Sequence, residues 1–383
     1  MDTRRLRIAY LGHSITEDVN RTRYQRPKYL ATTADLYLFV KKGTHVPEEI
    51  GSKSSVVYCR FGAMPLHVLW SVYEVWKLDR RVHFDLVYAM YPVHSIVQGI
   101  ILKSLGFKWV ADIWDHPEQT RRGIAGRIAQ RLGAFVSRRG LRHADLVVCG
   151  IMPEALEGYK IDQRKMLTVT NGTDLSLARP AVTKRDGSSR FTVFYVGPLH
   201  ENRDIETLME AIVAVQERVP DLRVVLVGRV FRDAVAAVNH RVLQHGLQRA
   251  VEVLGPMDHQ RVLELIAEAD VCVCPLSDAV ARRYAYPIKL FEYLAMGKSV
   301  VATRTPGVSR VVTNEVNGLL VDPGSASQMA EAILRVHDDS GLREKLESNA
   351  RQSVVEYDWS RINARIGNAL HELVGKASVE FAN

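Results

Sequence analysis

Lys289 and Glu292 stand three residues apart within the stretch 284–297, Tyr-Ala-Tyr-Pro-Ile-Lys-Leu-Phe-Glu-Tyr-Leu-Ala-Met-Gly. On a helix that spacing puts both side chains on one face. Pro287, with its φ already near the helical value, suits the first turn, and Gly297 suits the stop. Leu290, Phe291 and Leu294 can face a core. The N-terminus of such a helix presents unpaired N–H groups and a partial positive charge, and Lys289 adds a full one. A carboxylate one turn deeper accepts two hydrogen bonds from a vicinal diol. A phosphate at the tip with a ribose below it would satisfy all of these groups together. The plainer alternative is an amphipathic helix with an i,i+3 salt bridge.

Short apolar runs must position this helix. They fall at 6–11, 36–40, 56–59, 85–90, 109–113, 146–149 and 167–170, then at 191–196, 222–227, 251–254, 271–274, 299–302 and 318–321. Helical stretches alternate with them, among them 205–219, 232–245, 259–267 and 327–337. The later runs are Val-rich on both faces, as a buried parallel sheet requires. The pattern predicts two doubly wound α/β units in tandem, and the 383 residues exceed what one core usually holds. The polar stretch 175–189 marks the seam. The expected division is 1–178, 179–357 and a final segment, 358–383, that crosses back to the first domain.

Ligands of such sheets sit beyond the carboxyl ends of the strands. Gly12 and His13 follow the first run, and Asp115, His116 and Pro117 follow 109–113. In the second half, Gly197 with Arg203, Gly228 with Arg229, and Gly255-Pro256-Met257 follow successive runs. Positive charge and tight glycine turns thus gather at one edge of the second domain, expected to face the first across a central cleft. That is a plausible nucleoside-diphosphate site, with Arg229 and Met257 near the base.

The net charge of +8 suggests an anionic partner. Seven arginines and no acidic residue lie between Arg121 and Ala144, while Ile124, Ile128, Leu132 and Val136 recur every four residues. This is an amphipathic helix. It is read either as a core-facing helix with a solvated basic back or as a surface drawn to anionic lipid. Arg21, Arg23, Arg26 and Lys28 form a second basic cluster, either a solvated loop or a seat for an anionic acceptor headgroup. No basic–aromatic interleaving or known module supports a nucleic-acid partner. No apolar run is long enough for a transmembrane helix, the run at 8–11 is too short for a signal peptide, and Asn171-Gly172-Thr173 reads as a turn. Cys59, Cys149, Cys272 and Cys274 show neither a disulfide framework nor zinc spacing. A cytoplasmic protein, peripheral on the inner face of the membrane, is expected.

Several segments together resemble the family 4 glycosyltransferases, which have the GT-B fold of two Rossmann-like domains. They are Asn171-Gly172-Thr173-Asp174; Tyr195-Val196-Gly197-Pro198-Leu199 with Arg203 and 204–208; Ala269-Asp270-Val271 with Pro275; 287–298; Asn317-Gly318-Leu319-Leu320-Val321; and Asp358-Trp359. The resemblance covers nearly the whole chain and is densest from 171 to 323. It implies transfer of a sugar from a nucleoside-diphosphate sugar to a saccharide or lipid-linked acceptor, usually with retention at the anomeric carbon. Glu292 matches the family's ribose-binding glutamate, Arg203 the residue holding the diphosphate, and Lys289 a second phosphate contact. Gly12, Gly197, Ile288 and Leu290 are assigned to the same nucleotide-sugar site. The leaving group is a diphosphate, so stabilising its developing charge is the main task. No Asp-x-Asp motif occurs, and neither a metal nor another cofactor is expected.

Two departures from the family's pattern bear on mechanism. Tyr284 stands where a glutamate usually contacts the donor sugar, and Pro198 where an arginine is common. Tyrosine cannot act as a carboxylate nucleophile, which leaves a front-face mechanism in which the departing phosphate helps deprotonate the acceptor hydroxyl. Asp115 and His116, at the position of polar residues that reach donor or acceptor, complete the expected catalytic set with Tyr284. A non-catalytic nucleotide-sugar-binding or scaffold protein on the same fold is the alternative. Gly12 lacks the Gly-x-Gly-x-x-Gly context of a dinucleotide oxidoreductase.

Overall fold

The computed structural model describes residues 4–12, 15, 21–61, 64–115, 124–179, 190–200, 203–279 and 283–380. The chain divides into two compact units: Met1–Asn171 with Trp359–Asn383, and Gly172–Asp358. The first boundary falls between Asn171 and Gly172 rather than at 178. The reason is local: Thr173 bridges Asp358, the Leu175 N–H donates to Asp358 at 3.0 Å, and Arg351 donates to Leu175 O at 3.0 Å and to Ala178 O. These contacts tie residues 173–178 into the second unit.

The first unit is built on seven parallel strands: β1 (Arg7–Leu11), β2 (Asp35–Lys41), β3 (Ser54–Cys59), β4 (Leu86–Met90), β5 (Trp109–Ile113), β6 (Leu146–Cys149) and β7 (Met166–Thr168), in the order β3-β2-β1-β4-β5-β6-β7. The second has six: β8 (Thr192–Val196), β9 (Arg223–Val227), β10 (Val251–Leu254), β11 (Val271–Cys274), β12 (Ser299–Thr303) and β13 (Leu319–Val321), in the order β10-β9-β8-β11-β12-β13. Every pairing is parallel; Val193, for example, lies between Val224 and Val271. Strand order reverses between β8 and β11, and the crevice at such a switch point is where open α/β sheets bind ligands. The Val-rich β9, β11 and β12 are buried on both faces because helices cover both, whereas the edge strand β10 exposes Val253. Ile205–Arg218 and Ala326–Asp338 pack together on one of them.

The C-terminal helix Trp359–Glu380 returns to the first unit. Trp359, Ile362, Ile366 and Leu370, at helical spacing, join a core with Ile8, Tyr10 and Leu36. A buried polar network pins the helix there. Arg26 Nε donates to Asp112 Oδ2 at 2.8 Å and its Nη1 donates to Asn363, while Tyr88 Oη donates to Asp112 Oδ2 at 2.5 Å. Burial first, and then the Asp112 charge, push the Tyr88 hydroxyl well above its usual range. For Arg26, burial pulls the guanidinium down, and Asp112 together with Tyr88 and Tyr10 more than offsets it. The expected basic cluster is therefore not one anion seat: Arg26 is fully paired inside, and Lys28 pairs with Glu49 at 3.0 Å. The four cysteines are buried thiols, and burial pushes Cys149 up to about 12.

The basic helix spans Ile124–Gly140. Its stripe splits, because the small residues Gly133 and Gly140 let it approach Val93, Ile96 and Ile100, and this turns Val136 toward the core. Ile128 and Leu132 face solvent instead, joined by Phe135. Among the described residues no helix is long and apolar enough to cross a membrane.

Candidate functional site

The loops after β8 and β9 each hydrogen-bond to the end of the neighbouring strand. The Gly197 N–H after β8 donates to Val227 O at 2.9 Å, and the Gly228 N–H after β9 donates to Leu254 O at 3.0 Å. Both glycines have positive φ, +144° and +137°. A Cβ on Gly228 would lie 2.2 Å from Gly197 O, and one on Gly197 would lie 2.8 Å from Lys289 Nζ. Both positions therefore favour glycine for conformation, and Gly228, facing backbone, requires it for space as well.

Lys289 belongs to the helix Ile288–Ala295, which follows β11 and its loop. Pro287 caps this helix rather than starting its first turn, and Gly297, at φ +68°, ends it. The Lys289 ammonium is buried, 3.7 Å from the centroid of the Tyr195 ring. A cation over an aromatic face in a desolvated setting is held by the ring quadrupole. Tyr195 is itself fixed, donating to Pro198 O at 3.0 Å, and the Val196 N–H donates to Tyr293 Oη at 2.9 Å. The loop after β8 is thus braced from below by the helix whose tip it faces. Arg203 lies in the turn that opens Ile205–Arg218, behind Asp204 in the left-handed region at φ +53°. The charges of Lys289 and Arg203 both reach Cys274, where they partly oppose the rise that burial causes in its thiol. Lys289, the N-terminus of Ile288–Ala295 and the Gly197 and Gly228 turns therefore meet at the β8/β11 switch point, and Arg203 stands in the turn that follows the β8 loop.

Glu292, one turn deeper, is buried and hydrogen-bonded: its Oε1 lies 2.7 Å from His259 Nε2. Sequence reasoning missed His259. It opens the helix His259–Glu268, capped by Asp258, whose side chain accepts from the Arg261 N–H at 2.9 Å. The available signal was its place just after the loop of β10.

The other expected residues distribute as follows. Leu290 turns away from the tip: its side chain is in the core and its N–H donates to Pro287 O at 3.0 Å, so it offers a ligand nothing. Ile288 is half-buried at the first helical position. Arg229 is exposed, with its guanidinium 5.0 Å from the Phe231 ring centroid. Met257 is half-buried in the β10 loop. Tyr284 is half-buried beside Arg283, which pairs with Asp278 at 2.9 Å. The Tyr284 loop is held from behind by Gly307, where a Cβ would meet Ala285 O at 2.2 Å. In the first unit, Gly12 lies against the Tyr10 ring, 2.6 Å from where its Cβ would stand, and Asp115 follows β5. His13 and His116 lie outside the described residues, as do Arg121 and Arg122.

Residues 190–339 match the family described as "Glycosyl transferases group 1". This segment is a group 1 glycosyl transferase domain. It spans β8 to the end of Ala326–Asp338 and contains every second-unit residue of the candidate site. Over 304 residues the chain is 25% identical to a D-inositol 3-phosphate glycosyltransferase of Corynebacterium urealyticum, covering 72% of this chain and 68% of that one. Among solved structures it resembles a sucrose-phosphate synthase from Thermosynechococcus elongatus, with TM-score 0.78 and 22% identity over 97% of this chain and 100% of the other. HepE of Anabaena, in complex with UDP, has TM-score 0.78 at 19% identity over 96% and 100% of the two chains. The glycosyl transferase domain thus sits in a chain with the GT-B fold.

Proposed function

We propose that this protein transfers a sugar from a nucleoside-diphosphate sugar to a saccharide or lipid-linked acceptor, with retention at the anomeric carbon. The observation that carries the reading is Lys289 against the Gly197 turn at the Ile288–Ala295 N-terminus, with the Glu292 carboxylate one turn below and Arg203 in the turn after the β8 loop. In this reading Lys289 and Arg203 bind the diphosphate, and Glu292, oriented by His259, accepts from the ribose diol. The Gly197 turn lets the backbone approach the phosphates. Lys289, held over the Tyr195 ring, together with Arg203 and a helix dipole, supplies the charge stabilisation that a departing diphosphate needs, so no metal ion is required. The UDP in the HepE complex makes uridine diphosphate the first donor nucleotide to try. Tyr284 leaves no carboxylate nucleophile at its position, which favours a front-face route with Asp115 and His116 contacting donor or acceptor.

The exposed Ile128, Leu132 and Phe135 beside Arg127, Arg131 and Arg139 support docking of Ile124–Gly140 on an anionic membrane at its cytoplasmic face. Such docking suits a lipid-linked acceptor. Release of nucleoside diphosphate from candidate sugar nucleotides, with and without an extract of membrane lipids and saccharides, tests the reading. Acceptor-dependent release, with the product's anomeric configuration read by NMR, is expected. Tight nucleotide binding with no release under any condition would favour the scaffold alternative that Tyr284 raises.

A further inference from the structure

A second helix of the first unit carries an apolar face that the glycosyl-transfer site does not use. Met64–Val82 buries His67, Ser71, Val72 and Val75 on its inner side. Leu66, Leu69, Tyr73 and Trp76, at helical spacing, stand on the other side; Leu69 is 62% exposed and Tyr73 52%. Two cations lie on these rings: Arg80 is 3.9 Å from the Trp76 centroid and Lys77 is 5.8 Å from that of Tyr73. Met64–Val82 packs against Val93–Ser104, which packs in turn against Ile124–Gly140, so the three helices form one layer. The last of them exposes Leu132 at 62% and Phe135 at 56%, with Arg139 5.0 Å from the Phe135 ring. An exposed apolar patch edged with polar groups marks an interaction site.

The geometry points to a two-helix docking face for an anionic bilayer, in which Met64–Val82 inserts its aromatic side while Ile124–Gly140 supplies most of the charge. This rests on the membrane reading proposed above for Ile124–Gly140. Charge selects the occupant. Ile124–Gly140 carries Arg127, Arg131, Arg138 and Arg139 with no acidic residue. On Met64–Val82, Lys77, Arg80 and Arg81 outnumber Glu74 and Asp79, and Glu74 is paired with Lys77 at 3.6 Å. A second copy docked symmetrically would bring like charges together, whereas anionic headgroups complement them. Tyr and Trp with cations beside them suit the headgroup level, where an aromatic body needs an apolar side and a wet side. The leucines reach past that level.

Flotation of the full chain with phosphatidylcholine vesicles containing a quarter phosphatidylglycerol tests this. The pairs Leu69→Gln with Tyr73→Gln, and Leu132→Gln with Phe135→Gln, alter only exposed positions; circular dichroism and unchanged UDP binding check that each folds. The parent is expected to float with the anionic vesicles, to lose binding steeply with salt, and to show tryptophan fluorescence quenched by brominated acyl chains, with the Trp76 share taken as the quenching that Trp76→Phe removes. Each pair should weaken binding at least tenfold, and Arg80→Gln about fivefold. A Leu69/Tyr73 variant that binds like the parent, with Trp76 unquenched, would overturn the role of Met64–Val82 while leaving that of Ile124–Gly140 intact. No binding by the parent would remove both. Equal binding to neutral vesicles, or a dimer abolished by the Leu69/Tyr73 pair, would overturn the choice of an anionic bilayer.

Discussion

Glu292 meets His259 across 33 positions of sequence, and that contact is where the candidate site was least legible. The Lys289–Glu292 spacing is written in the chain, because three residues on a helix fix a shared face. The partner of the carboxylate is not, because it depends on how the loop after β10 delivers the start of His259–Glu268. Leu290 illustrates the reverse case: beside Lys289 in sequence, it points into the core. Two predictions belong to this scale. Lys289→Met and Glu292→Ala should each lower kcat/KM, by about 10²–10³ for the lysine as a charge stabiliser and about 10- to 100-fold for the carboxylate. Steady-state kinetics with the native fold verified would check both, and parental activity in the two variants would remove the site. His259→Ala frees one Glu292 oxygen and should raise the donor KM roughly tenfold with kcat little changed. A fall in kcat at constant KM would instead mean that His259 acts in the chemical step.

Short apolar runs bounded by polar and glycine-rich stretches mark parallel strands, which is why β1 to β13 were visible within a residue or two of their ends, and runs such as β9, β11 and β12, buried on both faces, are the Val-rich ones. Amphipathic helices are harder. The four-residue period in 124–136 suggests one apolar stripe, but glycines at 133 and 140 decide which side packs, and that depends on the neighbouring Val93–Ser104. Arg26 is a similar case: in sequence it sits among cations, and only the fold brings Asp112 and Asn363 to it. This network joins Thr22–Thr33, β4, β5 and Trp359–Glu380, so its loss is felt by four elements at once. Removing one member leaves a buried charge uncompensated. Arg26→Met should therefore cost about 3–5 kcal/mol, measured as a drop in the urea midpoint with little change in slope. Pairing it with Asp112→Asn should recover part of the loss. A single variant as stable as the parent would mean that water reaches Asp112.

At the scale of the whole chain, the two compact units have separate cores, and the lysine, arginine, carboxylate and glycine turns of the candidate donor site all lie within Gly172–Asp358. Donor nucleotide should accordingly stabilise one unit directly. By linkage, a nucleotide at about 100 times its dissociation constant adds about 2.7 kcal/mol to the state that binds it. For a unit of this size that raises the melting temperature by roughly 5–10 °C. Scanning calorimetry with UDP, GDP and ADP, each with and without EDTA, is expected to show one nucleotide moving the transition of the second unit and leaving that of the first in place. Because Lys289, Arg203 and the helix N-terminus supply the charge, EDTA should not reduce the shift. An EDTA-sensitive shift would mean that a metal ion completes the site. A shift confined to the first-unit transition would put the nucleotide outside Gly172–Asp358 and overturn the donor site, whatever the acceptor proves to be.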